Sequence, residues 1–484
     1  MRRSTVRTMT RRTMLTLLAS APAALMVACG QQAAQVQPTA PAKADAKPDA
    51  KPTTAPAAPA AQPAATKPAD PKPAAGATPA QTAPAQAAKP ALARELTWWV
   101  TGTGILTTLA EEWGKENGVA VNAQAQGNYD QMVQKVQAGI AANSLPHMAV
   151  LGQRHGIPQI ADSGRLIPLA DLIAQDPSFG AEDFLPAFWT KFTYKDRIQT
   201  TPFINSSPVL HYNKTAFAEA GLDPEKPPAT WDEMIDAAKK LTRRDGSAVS
   251  QWGLNTADDT PWYAYAFIMQ NGGNILGPDG QPAFNQEPGV AALKLWRDLV
   301  HDHKVMPPLQ HQEARKDFPA GKLGMMLSSS ASGGEYERDI GTRFEYGLAR
   351  FPGKSQRAVP VGGAALGVFK SDPEHERTAW EFVKWLTSPT TNARIAQETG
   401  YVAIRNGTLA LPEMQDFLAK NPRRATAIQQ IRDDIRAEGV GPADAVVWLG
   451  LQKVQEQLAS DANADPKKLL DDLAAETTRY LKEY

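Results

Sequence analysis

The side chains of this chain best placed to hold a small molecule are polar and aromatic ones at turns beside Gly, Pro and Ser. They are Tyr129, Gln153, Arg154, Ser206, Trp252, Trp262, Ser329, Gly363, Tyr401 and Trp448. Loops at strand ends are where α/β proteins place ligand contacts. None of these residues is a carboxylate, and a carbohydrate hydrolase needs two acids flanking a cleft. The acids are scattered over helix faces instead, as at Asp232, Glu233 and Asp236. Other catalytic signatures are missing: no G-x-S-x-G elbow, no Walker A loop, no G-x-G-x-x-G after a strand and no H-E-x-x-H. His301-Asp302-His303, with His311 eight residues on, matches no closed zinc pattern and reads as a solvated loop. The pattern predicts binding without catalysis, metal or cofactor. Taken singly, each residue has a plainer reading, since tryptophan is usually core and Ser328-Ser329-Ser330 suits a solvated turn equally well.

Short apolar strands and amphipathic helices must position these residues. Leu96 to Val100 reads as a strand, and Leu106 to Trp113 has helical spacing that Gly118 stops. Tyr129 to Ala142 reads as a helix, followed by Met148-Ala149-Val150-Leu151 as a short buried strand. Thr230-Trp231-Asp232-Glu233 is a capping box for a helix with Met234, Ala237, Ala238 and Leu241 on one face. Ser371-Asp372-Pro373 caps a helix carrying Ala379, Phe382, Val383 and Leu386, and Ser388-Pro389 opens another that Gly400 closes. Alternation of strands and helices predicts α/β layers with largely parallel sheets.

The first 93 residues differ from the rest. Residues 1–28 hold five arginines, no acid and an apolar run from Met14 to Ala28, the pattern of an export signal. Thr10-Arg11-Arg12-Thr13-Met14-Leu15 is similar to the twin-arginine export pattern, with the general secretory route as the alternative. The single cysteine, Cys29, follows a small residue at the end of that run, which resembles a bacterial lipobox and predicts lipidation. Residues 30–93 hold 13 of the 39 prolines and no aromatic residue, too little apolar surface to offset ordering entropy. Together with Cys29 they read as a disordered Ala/Pro-rich tether over 29–93. The chain is formally neutral, with 51 basic and 51 acidic residues among 484, but residues 94–484 carry a net −8. That excludes a polybasic nucleic-acid binder, and one cysteine excludes an internal disulfide framework.

The run TTPFINSSPVLHYNK at 200–214, continuing through AGLDPEKPPATWDEMIDAAKKL, resembles the signature of extracellular solute-binding proteins of carbohydrate-uptake ABC transporters. Further blocks agree in order: SLPHMAVL with GRLIPLADLI, then FPAGKLGMML, then AWEFVKWLTSPTTNARIAQETGYVAIRNGTL. Within that family the likeness is greatest to the sn-glycerol-3-phosphate-binding subfamily, through GNYDQ, the 202–231 run and VGGAAL. The resemblance implies a two-lobed α/β fold of the periplasmic-binding-protein type II class, with a hinge and an interlobe cleft. It implies lobe 1 over 94–207 and 361–405, and lobe 2 over 208–360 and 406–484. It places ligand contacts on Tyr129, Ser206, Ser329, Gly363 and Tyr401. At two positions the chain departs from the subfamily: Gln153 beside Arg154 stands for an acid, and Trp448 for an arginine before a Leu-Gly pair. Trp448 would offer a flat face to a sugar ring, whereas Arg154 would supply a cation from the opposite lobe. The implied protein is a lipid-anchored, exported monomer that captures a sugar or polyol phosphate for an ABC permease. An adhesion module would instead leave Tyr129, Ser206 and Tyr401 dispersed over the surface.

Overall fold

The computed structural model describes residues 91–484 apart from 103, 153–155, 259, 309–312 and 437–440. The export signal, Cys29 and the tether up to residue 90 lie outside the described residues. Along the chain come β1 (Glu95–Val100), β2 (Ala120–Ala125), β3 (Met148–Gly152), β4 (Leu166–Ile167) and a hairpin of β5 (Thr193–Tyr194) and β6 (Arg197–Ile198). β7 (Thr201–Ser206) and β8 (Pro208–Asn213) follow in direct succession. The remaining strands are β9 (Arg243–Asp245), β10 (Ala248–Thr256), β11 (Leu323–Ser329), β12 (Tyr346–Ala349) and β13 (Gly362–Phe369).

These strands form two α/β lobes, each around one sheet. The first sheet runs β2-β1-β3-β13-β4, with β7 also paired to β13; the second runs β12-β8-β11-β10-β9. The expectation of largely parallel sheets is corrected. β1 is parallel to β2 and β3, and β10 to β11, but β13 is antiparallel to β3, β4 and β7, and β8 to β11 and β12. Both sheets are mixed because each takes in a strand that reverses direction at the passage between lobes.

Local signals set the helices. Asn128 caps Tyr129–Ala142 by accepting from the Gln131 N–H at 3.0 Å, while Gln131 Oε1 accepts the Asn128 N–H at 3.0 Å. Thr230 and Glu233 make the expected reciprocal cap of Trp231–Leu241, and Asp372 caps Pro373–Leu386. Gly118 ends Ile105–Asn117 in the left-handed conformation. The helix opened by Ser388 and Pro389 stops at Glu398, with Thr399 rather than Gly400 at its C-cap. His301 is the last residue of helix Glu287–His301, its Nε2 3.0 Å from the Leu458 carbonyl, so the histidine cluster is not wholly a loop.

β3 divides its side chains between two cores. On β3, Met148 and Val150 join the main apolar cluster, while Ala149 and Leu151 pack with Met132 and Val136 from the opposite helix layer. A strand buried on both faces carries an unbroken apolar run, as here. Trp98 on β1 is fully buried, edge-on to Phe203 at 6.2 Å and to Phe382 at 5.2 Å. In the second lobe, Leu210, Met325 and Leu327 pack beneath helices Trp262–Gln270, Glu287–His301, Asp444–Ser460 and Pro466–Glu483. Trp98→Ala should destabilise the protein by about 3–5 kcal/mol, the usual range for a buried aromatic removed from a close-packed core. A guanidinium unfolding midpoint unchanged from wild type would contradict that placement.

Candidate ligand-binding site

One residue, Ser207, carries the chain from β7 to β8 and so from the first sheet to the second. It is fully buried and fully bonded. Its N–H donates to Ser330 Oγ at 3.3 Å, and its carbonyl accepts the Ser330 N–H at 2.9 Å. Gln430 Nε2, from helix Pro422–Asp434, donates to Ser207 Oγ and to the Pro208 carbonyl, both at 2.7 Å. The chain returns at β13, where Gly362 and Gly363 sit opposite Ser206 and Asn205. Gly363 has φ 92°, and a Cβ there would stand 1.9 Å from the Ile204 carbonyl oxygen, so only glycine lets the strands meet. A third strand of contact comes from Val402, whose N–H donates to the Asn205 carbonyl at 2.9 Å. Just before it, Gly400 passes so close to the Ser330 and Ala331 carbonyls that a Cβ would lie 2.5 and 2.4 Å from them. This close approach explains the glycine better than a helix stop does. Ser206, Ser329, Gly363 and Tyr401 are thereby gathered around a single crossing.

Tyr129 joins them through Tyr401. The Tyr129 hydroxyl is hydrogen-bonded to those of Thr101 and Tyr401. Both residues are half-buried, and desolvation, with the neighbouring phenol second, holds Tyr129 well above the usual tyrosine range. Burial raises Tyr401 too. Both phenols are therefore neutral at physiological pH. Beside them lies a cavity of about 350 Å³ lined by Thr101, Gly102, Ile105, Ile204, Thr399 and Tyr401, among others.

On the second lobe, Ser329 Oγ accepts the Ala331 N–H at 3.1 Å and holds the turn into helix Gly333–Ile340. Buried His211 supports its backbone: Nε2 donates to the Ser329 carbonyl at 3.2 Å, which leaves Nδ1 to accept the Tyr346 hydroxyl at 2.7 Å. Burial pushes the His211 pKa down to about 3. Trp262 is half-buried beside Gly362 and donates to the Val361 carbonyl at 3.3 Å. Trp448, on helix Asp444–Ser460, packs edge-on against Tyr265 at 5.6 Å, on the helix that Trp262 opens.

Trp252 does not join this group. It lines a separate cavity of about 480 Å³ with Arg244, His301, Lys304 and Met306, and Arg244 lies 5.8 Å over its ring. β10 holds it in register with Leu323, the start of β11, whereas Ser329 is at the opposite end of that strand. Gln153, Arg154 and His311 lie outside the described residues. Among the described residues no three His, Cys, Asp or Glu side chains gather as metal ligands would, and no helix is long and apolar enough to cross a membrane. The ten candidates omitted Thr101 and Thr399, which line the cavity beside Tyr401. Thr101 could have been found from its place just past the C-terminal end of β1, where α/β sheets receive ligands. Thr399 has no comparable signal.

Residues 108–426 match the family model of bacterial extracellular solute-binding proteins. The chain is 27% identical over 357 residues to the sn-glycerol-3-phosphate-binding periplasmic protein of Agrobacterium fabrum, covering 70% of this chain and 80% of that protein. It is 29% identical over 343 residues to the protein of the same name from Escherichia coli K12, covering 67% and 76%. Among solved structures, UgpB from Mycobacterium tuberculosis in complex with glycerophosphocholine superposes with a TM-score of 0.72 at 23% identity, covering 80% of this chain and 98% of that one. The cyclic α-maltosyl-1,6-maltose binding protein of Arthrobacter globiformis gives 0.67 at 26% identity, covering 81% and 99%. The shared fold is the two-lobed type II fold of periplasmic solute-binding proteins.

The environment of His211 has a measurable consequence. An unfolded histidine takes up a proton below about pH 6.5, but the buried ring refuses it until about pH 3. Stability from this group is present above pH 6.5 and is lost as pH falls, by up to about 1.4 kcal/mol per unit. Between pH 6.5 and 5, where most carboxylates stay ionised, His211→Phe should show a flatter loss of unfolding free energy than wild type. Equal slopes would refute the neutral, buried assignment.

Proposed function

From the premise that the chain belongs to the bacterial extracellular solute-binding protein family, we propose that it captures a sugar or polyol phosphate in the cleft at the Ser207 crossing. It is a solute-binding protein of an ABC importer and not an enzyme. The observation that carries the ligand reading is the meeting of the Thr101, Tyr129 and Tyr401 hydroxyls at a cavity lined by Thr101, Tyr401 and Ile204 of β7, the strand that leads through Ser207 into the second sheet. Neutral hydroxyls and the half-buried Gly363 backbone suit a polyhydroxylated ligand, with Trp262 and Trp448 supplying flat apolar surface. The relatives' names favour a glycerol-3-phosphate-like compound. A neutral sugar is the second reading, because the candidate site residues that are described include no cation to pair with phosphate. Arg154 would have to supply one.

Lobe 1 is assigned to 94–207 and 361–405, and lobe 2 to 208–360 and 406–484, so closure on the ligand bends the chain at 207–208, 360–361 and 405–406. Contacts from both lobes stabilise the closed form to the extent that they are stronger there, so affinity and closure form one equilibrium. The chain is further assigned a cleaved export signal, a lipid on Cys29, a disordered tether to residue 93 and delivery, as a monomer, to permease subunits at the outer face of the cytoplasmic membrane or in the periplasm.

Mass spectrometry of the ligand released from natively purified protein identifies its class directly. Calorimetry with glycerol 3-phosphate, glycerophosphocholine and maltose then separates a phosphate-bearing ligand from a neutral one. Tyr401→Ala and Ser206→Ala should each weaken binding by about tenfold or more, in line with lost hydrogen bonds to a buried ligand, while retaining the native melting profile. Equal affinities in wild type and both variants would place the ligand elsewhere.

A further inference from the structure

Away from the Ser207 crossing, the lobes meet a second time, and none of the candidate ligand contacts takes part. Helices Asp444–Ser460 and Pro466–Glu483 belong to the second core through Val447, Leu451, Leu470 and Leu473. Helices Ile157–Asp162 and Pro186–Phe192 belong to the first through Ile157, Phe188 and Phe192. Between them, Gln159 Nε2 donates to the Pro442 carbonyl at 2.9 Å and to the Tyr480 hydroxyl at 3.3 Å. Asp162 accepts from Tyr194 at 2.9 Å and Lys195 at 2.7 Å within its own lobe, and from the Tyr484 hydroxyl across the gap. Lys191 Nζ, on a side chain 2% exposed, stands 3.6 Å from the Asp444 carboxylate.

We propose that Gln159, Asp162 and Lys191 on one lobe, with Tyr480, Tyr484 and Asp444 on the other, form a clasp that sets the open–closed balance of the cleft. They are positioning residues, acting on ligand affinity through lobe closure and without touching ligand. Contacts at the crossing lie near the axis of any lobe rotation and survive it. Contacts remote from it are separated, so their free energy enters the closed state alone. Asp444 opens the helix that carries Trp448 one turn later, so the clasp also fixes how that helix faces the first lobe. The assignment rests on the two-lobe closure reading and on no particular ligand.

The test is single-molecule FRET on the ligand-free full chain, in a Cys29→Ser background, with dyes on Glu116→Cys and Asp472→Cys, one exposed site in each lobe. Tyr484→Phe removes one hydroxyl and Gln159→Ala one amide. Each should raise the open-to-closed ratio about three- to tenfold, and the pair by about tenfold or more. Lys195→Ala, which meets Asp162 within the same lobe, should leave the ratio unchanged. FRET histograms that coincide for wild type and the double variant would overturn the clasp, as would an equal shift from Lys195→Ala. Because no ligand is added, failure of every compound in the binding panel would not alter this readout.

Discussion

The fold depends on burying one short polar passage between two sheets. Ser207, Ser330 and Gln430 are each almost wholly removed from water, and their hydrogen bonds are satisfied by one another, by Pro208 and by the Phe351 N–H, which donates to Gln430 Oε1 at 2.6 Å. A buried polar group left without its partner costs about 1–3 kcal/mol, so the network tolerates few alternative geometries. Because Ser207 cannot shift, the ends of β7 and β8 cannot either, and the serines, glycines and tyrosine beside them inherit that position. The crossing is thus precise although four distant stretches of chain meet there, at 200–214, 323–332, 362–363 and 399–402.

Much of this was legible in the sequence where the cause was local. The caps at Thr230 and Asp372, the helix Tyr129–Ala142 and the strand at Met148 each follow from a few neighbouring residues. Sheet direction was not legible, because β13 is placed beside β3 and β7 by pairing across 156 to 220 residues, and no short-range pattern encodes that choice. Gly400 looked like a helix stop for the same reason: the carbonyls it slides past belong to Ser330 and Ala331. Trp252 shows the converse limit. Its neighbours in sequence gave it a turn-side setting like that of Trp262, but it lies in the middle of β10, in register with Leu323 at the end of β11 remote from Ser329.

Charge sharpens the choice of ligand. Residues 94–484 carry a net −8, a field that slows the approach of an anion and leaves a neutral sugar unaffected. A phosphate-bearing ligand must therefore be retained by specific local contacts. The Thr101, Tyr129 and Tyr401 hydroxyls are well suited to sugar or glycerol hydroxyls, but a neutral phenol donates a weaker hydrogen bond to phosphate than a guanidinium does. Under the proposed site assignment, discrimination between the two ligand classes would fall on Arg154 and Trp448.

The Lys191–Asp444 pair shows why a moving interface would hold buried charge at all. Taking a lysine and a carboxylate out of water costs several kcal/mol per ion, and their mutual attraction returns roughly that much, so such a pair adds little net stability. In a static core an apolar pair would do better. Across a cleft that opens, the open state rehydrates both ions and recovers the desolvation cost, so the pair fixes the geometry of closure and adds only a small surplus to the closed state. An apolar contact of the same area would favour the closed state by its whole buried surface, at about 25 cal/mol per Å², and would hold the lobes shut in the absence of ligand. A receptor that must release what it captures needs closed and open states of comparable free energy. Polar ties at Gln159, Asp162 and Lys191, away from the apolar cores, meet that requirement.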